Sequence, residues 1–160
     1  MDAKITEGGN SGILIRFPLP VNPDQRTQEE AWAEGNQHLR PAYAGHEIQV
    51  WDYHAPDYAN PCGSIYDVGR AYGNLYDKKH QPTVPIFRTG EWNNYVIYAR
   101  GGQIRIYLNG QKVAEALSDR ALSGAVGLQV HVLQSEIDEA GVYHAPYWVW
   151  FKNIKIKEVL

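Results

Sequence analysis

The chain has 160 residues, which is enough for one domain with one hydrophobic core, and 44% of them are hydrophobic, a fraction that argues against wholesale disorder. The formal net charge of −3 at pH 7 gives no electrostatic basis for binding nucleic acid or an anionic membrane. The single cysteine, Cys62, excludes an internal disulfide and any zinc cluster built from cysteines.

Aromatic residues that carry a polar group are frequent, since the chain contains 11 tyrosines and 5 tryptophans against 3 phenylalanines. Such side chains suit a β-sheet, and they also suit a binding surface because they combine apolar area with a hydrogen-bonding group. No apolar run has the length of a membrane span, and the polar residues 1–6 do not resemble a signal peptide.

The N-terminal third contains one clear strand and one candidate helix. Residues 13–17 alternate, so we expect Ile13, Ile15 and Phe17 to share one face and Arg16 to lie with Leu14 on the other. Residues 7–12 before this strand are rich in glycine and asparagine and are predicted to form a turn. Residues 27–39 are predicted to form a short helix within a long loop, because a threonine can cap it and two glutamates suit its first turn.

Residues 45–52 alternate polar and apolar side chains with the period of a half-buried strand. Glu47, Gln49 and Trp51 are therefore expected on the face that points away from the core. A carboxylate, a carboxamide and an indole in one row suit a sugar, which offers hydroxyl groups for hydrogen bonds and flat C–H faces for stacking. The alternative is an ordinary solvent-exposed strand face with a chance tryptophan.

Antiparallel hairpins dominate the C-terminal half. The Gly-Gly pair at 101–102 and the Asn-Gly pair at 109–110 are hairpin signals, so residues 95–114 are predicted to form a three-stranded meander. Many short strands with glycine and asparagine turns favour an all-β fold, an antiparallel β-sandwich of jelly-roll type, with residues 1–160 as a single domain. Further short strands are predicted at residues 2–6, 63–66, 124–133, 147–151 and 154–157.

Several short motifs occur in an order that resembles one known family. The motifs are Gly-Gly-Asn-Ser-Gly-Ile (8–13), Arg16, Tyr43 to Gly45, Glu-Ile-Gln-Val (47–50), Gly-Ser-Ile-Tyr (63–66), Gly-Glu-Trp-Asn (90–93), Leu-Asn-Gly (108–110), Gly-Leu-Gln-x-His (127–131) and Phe-Lys-Asn-Ile-Lys-Ile (151–156). Each motif is weak alone, and their order makes the set specific. From about residue 5 to its end, the chain resembles the 3-keto-disaccharide hydrolase domain, whose fold is similar to that of concanavalin-like lectins and family 16 glycoside hydrolases.

Two departures from the family pattern bear on partners and on the shape of a pocket. Several strands normally precede the Gly-Gly-Asn-Ser-Gly segment, and only a handful of residues do so here, so we expect N-terminal strands to be missing. A sandwich that lacks strands exposes an unpaired edge, which favours a homo-oligomer or a partner chain that completes the sheet. The family usually ends soon after its Gln-x-His motif, whereas residues 132–146 form an insertion at this point of the chain. The resemblance also implies an extracellular or periplasmic location.

The resemblance implies cleavage of a glycoside or disaccharide that has been oxidised to a ketone at C3. The ketone acidifies the C2 proton, a base removes it, the aglycone leaves from C1, and water adds to the resulting enone. Such a site needs a base, a proton donor and a group that stabilises the enolate. Glu47 and His131 are the expected catalytic pair, one as base and the other as acid. The residues expected to bind the substrate are Arg16, Gln49, Trp51, Tyr66 and Gln129.

Each of these side chains has a simpler alternative role. Glu47 and Arg16 can form a cross-strand ion pair. A single histidine on a strand face, such as His131, is more often structural than catalytic. Tyr66 can serve in packing alone.

The function and the cofactor are left open by the residues themselves. An enzyme acting on 3-keto-glycosides, a non-catalytic lectin-like carbohydrate-binding module and a strand-completed assembly subunit are all compatible with the sequence. No metal ligand set is predicted, and the cofactor is unknown. A divalent cation is one option, because Asp52 with Asp57 or Asn60 offers oxygen ligands, although turn chemistry explains these residues better.

Overall fold

The computed structural model describes residues 1–17, 45–51, 62–66, 68, 86–131, 139–141 and 147–158. Within these ranges the chain forms eight β-strands and no helix, which confirms the all-β prediction. The predicted helix at residues 27–39 lies outside the described residues, and no helix in the described part is long and apolar enough to span a membrane. The strands are β1 (Asp2–Ile5), β2 (Asn10–Phe17), β3 (His46–Trp51), β4 (Asn93–Arg100), β5 (Gln103–Leu108), β6 (Gln111–Leu117), β7 (Ala125–Leu128) and β8 (Val149–Lys152).

The strands pair antiparallel in two sheets. One sheet has five strands in the order β6-β5-β4-β1-β8, and the other has three strands in the order β3-β2-β7. Apolar side chains from both sheets form one buried cluster, which gives the predicted antiparallel β-sandwich. β1 pairs with both β4 and β8, so the start of the chain joins the C-terminal strand to the meander.

The Asn-Gly pair predicted as a hairpin turn joins β5 to β6. Asn109 and Gly110 have φ values of 49° and 81°, the left-handed conformation that a type I′ turn requires at both central positions. The Asn109 amide donates to the carbonyl of Ile86 at 2.7 Å and to Asn93 Oδ1 at 2.9 Å, and its Oδ1 accepts from the Asn94 N–H at 2.8 Å. One side chain therefore ties the turn to the start of β4.

The core lies between the sheets and takes alternate residues from the strands on each side. Full burial of one large aliphatic side chain contributes roughly 1.5–3 kcal/mol to folding, so the core fixes which face of each strand points outward. The completely buried members include Ile5, Ile48, Val50, Ile104, Ile106, Leu108 and Val113.

Arg16 interrupts the alternation of β2. Its φ is 57°, and the pairing of β2 with β7 shifts between Ile15 and Phe17. One extra residue in a strand turns the side chains that follow it to the opposite face. Phe17 accordingly lies beside Gly127, where an added Cβ would meet the Phe17 ring at 3.0 Å and Leu14 Cδ1 at 3.8 Å. The expectation that Phe17 shares a strand face with Ile13 and Ile15 is therefore wrong.

Four other predicted segments differ from the structure. β2 begins at Asn10, so the predicted turn at 7–12 is too long. Of the strand predicted at 124–133, the described residues 124–131 form a strand only within β7. The segment predicted at 154–157 is not a strand, because β8 ends at Lys152 and Asn153 adopts a φ of 52°. The segment 63–66 runs beside β3, as a single bridge between Ile48 and Ile65.

His46 is a completely buried polar group at the start of β3. Its Nε2 lies 2.9 Å from Ser118 Oγ, in the loop that follows β6, and its Nδ1 has no hydrogen-bond partner. Burial, together with the nearby charges of Arg120 and Arg16, lowers the pKa of His46 from 6.5 to about 4. The folded protein therefore holds this imidazole neutral.

The buried imidazole predicts an acid sensitivity of folding. The unfolded chain takes up a proton on His46 as the pH falls below 6.5, whereas the folded chain resists it until about pH 4. Stability is therefore unaffected by this group above pH 6.5 and decreases as the pH falls from 6.5 towards 4, by on the order of 3 kcal/mol in total. Urea unfolding at a series of pH values between 7 and 5 measures this slope.

The matched variants are His46→Gln and Glu115→Gln. The pKa of Glu115 is lowered from 4.5 to about 2 by Lys112 and Arg105, so this group affects stability only below the chosen pH range. His46→Gln should flatten the slope between pH 7 and 5, while Glu115→Gln should leave it unchanged. An equal slope in His46→Gln would show that another group causes the acid sensitivity.

Candidate functional site

The outer face of the three-stranded sheet carries the residues that the alternation of β3 predicted. Ile48 and Val50 are buried in the core, so Glu47 and Gln49 lie on the opposite face. Glu47 pairs with Leu14, and Gln49 pairs with Gly12 on the neighbouring strand β2. These two side chains are only 4% and 2% exposed, so this outer face is covered rather than freely solvated.

Glu47 is held in place from two sides. Gln129, the residue after β7, donates from its Nε2 to Glu47 Oε2 at 3.0 Å. On β2, a Cβ added to Gly12 would lie 2.6 Å from Glu47 Oε1 and 2.7 Å from its Cγ. The carboxylate therefore occupies the space that any side chain at Gly12 would need, and its second oxygen is fixed by an amide donor.

Two buried acceptor oxygens adjoin this carboxylate face. Gln49 donates from Nε2 to Asn10 Oδ1 at 2.9 Å, which leaves Gln49 Oε1 without a hydrogen-bond partner among the described residues. Gln129 Oε1 likewise has none, because the Gln129 amide nitrogen is directed to Glu47. An unsatisfied buried acceptor costs roughly 1–3 kcal/mol, so the site is suited to a ligand or water that brings hydrogen-bond donors.

Tyr66 lies on the segment that extends this face beyond β3. Its N–H donates to the carbonyl of Glu47 at 2.8 Å, and the Gln49 N–H donates to the carbonyl of Ser64 at 3.0 Å. Ile65 pairs with the core residue Ile48, so the register of this bridge puts Tyr66 opposite Glu47. The structure thus brings the side chains of Glu47, Gln49 and Gln129 to one surface and the backbone of Tyr66 beside it, and the role of Tyr66 in binding a substrate stays a prediction.

Arg16 and Trp51 are engaged elsewhere. The guanidinium of Arg16 donates to the carbonyl of Gly101 at 2.7 Å and to that of Ala121 at 3.3 Å, at the end of the five-stranded sheet. Trp51 is partly buried against the hydrophobic core, and its backbone N–H donates to Cys62 Sγ at 2.8 Å. These contacts do not bring either side chain to Glu47, and their roles in binding a substrate stay predictions.

His131 follows β7, two residues beyond Gln129. Its carbonyl accepts a hydrogen bond from the Tyr147 hydroxyl at 2.6 Å, and its side chain is partly exposed. This contact fixes the backbone at the point where the chain leaves the sheet. The role of His131 as an acid or base stays a prediction.

The described residues contain no group of three histidine, cysteine, aspartate or glutamate side chains that could hold a metal ion. Asp52, Asp57 and Asn60, the cation ligands considered from the sequence, lie outside the described residues. His46, the neighbour of Glu47 on β3, faces the opposite side of the sheet.

A family model described as the 3-keto-alpha-glucoside-1,2-lyase-like domain matches residues 1–157. The chain belongs to this family. The membership agrees with the resemblance carried by the ordered motifs, and it supports a glycoside-related function.

One comparison with a solved structure supports the fold of this lyase-like domain. A candidate glycosyl hydrolase from Parabacteroides distasonis ATCC 8503 matches with a TM-score of 0.57 and 23% identity, covering 99% of this chain and 75% of that one. A second candidate glycosyl hydrolase from the same organism has a TM-score of 0.39 and 21% identity, covering 75% of this chain and 50% of that one. No curated protein matches the chain.

Asn10 and Gly12 of the lyase-like domain are site residues that the sequence reasoning missed. Both were assigned to a turn, because asparagine and glycine favour turns. The available signal was Gly12 itself, since a glycine directly before an apolar strand run also indicates a close approach of another group. Between them, Ser11 donates from its Oγ to the Gln129 carbonyl at 2.7 Å and helps to position that residue.

The contact between Gly12 and Glu47 is testable by substitution. In Gly12→Ala the new Cβ would lie 2.6 Å from Glu47 Oε1, so the carboxylate must move away from Gln129. We expect a loss of roughly 1–3 kcal/mol in the free energy of unfolding, together with a shift of the Gln129 side-chain amide resonances. Urea unfolding and two-dimensional amide NMR measure the two effects.

Gly127→Ala is the matched control, because its Cβ meets the Phe17 ring on the same sheet face. That variant should lose stability but leave the Gln129 amide resonances in place. Unchanged Gln129 resonances in Gly12→Ala would contradict the steric coupling described for Glu47.

Proposed function

We propose that this chain cleaves glycosides or disaccharides that carry a ketone at C3. The observation that carries the proposal is the fixed carboxylate of Glu47, which lies on a covered sheet face next to the unsatisfied amide oxygens of Gln49 and Gln129. Membership of the 3-keto-alpha-glucoside-1,2-lyase-like family supplies the substrate class.

In the proposed reaction Glu47 acts as the base that removes the C2 proton. The electron pair of the broken C–H bond forms the enolate with the C3 ketone and then expels the aglycone from C1, giving an enone. His131 is proposed to protonate the leaving oxygen, and addition of water at C1 completes net hydrolysis. A fixed base contributes typically about 10²–10⁴-fold to such a proton transfer.

The two unsatisfied amide oxygens are proposed to bind sugar hydroxyl groups. A pyranose hydroxyl can donate to Gln49 Oε1 or Gln129 Oε1 and so remove the cost of leaving these acceptors unpaired. Tyr66, whose backbone lies beside this face, is proposed to contact the sugar ring. These contacts would hold the C2–H bond against the carboxylate.

The same acceptors also favour a second candidate, a non-catalytic carbohydrate-binding module. Such a module needs the hydrogen-bond acceptors of Gln49 and Gln129 but no proton transfer. Turnover therefore separates the two candidates, and binding alone does not.

We extend the proposal to the location and the partners of the chain. An extracellular or periplasmic location suits an enzyme that acts on glycosides. A homo-oligomer, or a partner chain that adds a strand, would cover the core-facing side chains Val126 and Leu128 of β7, which are partly exposed at the edge of the three-stranded sheet. Light scattering of the purified protein tests this extension, and a monodisperse monomer would contradict it.

Glu47→Gln is the decisive variant for catalysis. The amide cannot accept the C2 proton, so we expect turnover of a chromogenic 3-keto-glucoside to fall by at least about 100-fold. Binding of the same sugar should change little, because the shape of the side chain is kept. Release of the chromophore gives the rate, and calorimetry with a non-hydrolysable analogue gives the affinity.

Glu91→Gln serves as the control, since its side chain is exposed and pairs with Arg88 away from the site. Full turnover in Glu47→Gln would exclude Glu47 as the base, and absence of turnover in the unmodified protein, with sugar binding retained, would favour the binding module. A parallel measurement with EDTA tests whether a divalent cation takes part.

A further inference from the structure

Three tryptophans lie exposed at the outer side of the five-stranded sheet. Trp92, just before β4, is 40% exposed, Trp150 on β8 is 40% exposed, and Trp148 just before β8 is 65% exposed. An indole is a large apolar group. An exposed cluster of such groups marks an interaction site more often than it arises by chance.

Two lysines lie over the rings of these tryptophans. Lys4 Nζ is 4.5 Å from the ring centroid of Trp150 and 5.5 Å from that of Trp92, and Lys152 Nζ is 3.9 Å from the ring centroid of Trp92. Trp148 stacks on Trp150 with ring centroids 6.4 Å apart and an angle of 21° between the planes. The five side chains therefore form one connected cation–π cluster.

The strand register explains why this cluster faces outward. Lys4 pairs with Trp150 across β1 and β8, and its neighbours Ala3 and Ile5 are completely buried in the core. Lys4 and Trp150 therefore point away from the core. Glu47 lies on the outer face of the other sheet, so the core separates this cluster from the proposed catalytic face.

The cluster keeps positive charge available to a ligand. Among the described residues neither Lys4 nor Lys152 has a carboxylate within ion-pair distance, and their aromatic partners are neutral. The neighbouring Asp2 carboxylate accepts hydrogen bonds from the amides of Asn94 and Asn153 at 2.8 Å and 2.7 Å and interacts electrostatically with Lys152. It offsets one of the two lysine charges and leaves one in excess. This local excess of positive charge occurs in a chain whose net charge is −3.

We propose that Trp92, Trp148, Trp150, Lys4 and Lys152 form a second, non-catalytic binding surface for an acidic glycan. The indole of Trp148, with the largest exposure of the three, stacks on the C–H face of a pyranose ring. The lysine ammonium groups pair with the carboxylate or sulfate groups of the sugar chain. The surface holds a polymer on the side of the sandwich opposite the proposed catalytic face.

The composition of the surrounding face favours a glycan over a lipid bilayer. Tryptophan and lysine also suit the membrane interface, but insertion requires a wider apolar area. On β4 to β6 the same sheet face carries the exposed Val96, but Asn94 and an ion pair between Arg105 and Glu115 at 2.7 Å interrupt its apolar area. A sugar chain needs only exposed rings and accessible charges.

Calorimetry with four probes tests the proposal. Hexagalacturonate and a heparin hexasaccharide are the acidic glycans, maltohexaose is the neutral glycan, and vesicles of phosphatidylcholine with phosphatidylserine represent a membrane. We expect at least one acidic glycan to bind, with an affinity that falls as salt is raised, and maltohexaose to bind at least about tenfold more weakly. Trp148→Ala and the double variant Lys4→Gln/Lys152→Gln should each lower the affinity for the acidic glycan about tenfold.

Two controls keep this result separate from the catalytic site and from unfolding. Leu117→Ala removes an apolar side chain that is 66% exposed on the far edge strand of the same sheet, and it should bind the acidic glycan normally. Glu47→Gln should also bind it normally, so failure of the proposed catalysis leaves this test unaffected. Binding of neither acidic glycan, equal binding of maltohexaose, or binding of vesicles alone would each overturn the proposal.

Discussion

The burial of β3 on both of its faces is the constraint on which the site depends. One face belongs to the apolar core through Ile48 and Val50, and the other carries Glu47 and Gln49 under nearly complete cover. A covered carboxylate and carboxamide are stable only when their polar atoms have partners. Gln129 and Asn10 supply some of these partners. The amide oxygens of Gln49 and Gln129 have none among the described residues, and they mark where the hydrogen-bond donors of a ligand can bind.

Period-two alternation and turn chemistry predicted much of the fold and part of the site. They placed Glu47 and Gln49 on the outer face and located the hairpin at Asn109, because both follow from local backbone geometry. The bulge at Arg16 could not be read in this way, since a non-glycine residue with positive φ leaves no mark in the pattern. The pairing of Gln129 with Glu47 depends on strands far apart in sequence, so the sequence placed both residues in one expected site but did not predict the hydrogen bond between them.

The two outer faces of the sandwich differ in the burial of their polar and aromatic groups and in the interactions these groups make. On the three-stranded sheet, Glu47 is buried and its surroundings supply hydrogen bonds at fixed positions. On the five-stranded sheet, Lys4 and Trp150 are on the surface and interact through a cation–π contact. The first arrangement suits recognition of one sugar unit in a defined orientation, and the second suits a looser hold on an extended chain.

The sequence distance between paired strands has a consequence for how the molecule assembles. Two-residue turns join β4, β5 and β6, so this meander closes only short loops. The bonds of the site are distant by comparison, with 82 residues between Glu47 and Gln129 and 118 between Ser11 and Gln129. The entropy cost of closing a long loop must be met before its stabilising contacts form, so long loops close later than short ones. We therefore expect the meander to form ahead of the site, so the amide that positions Glu47 arrives late in folding.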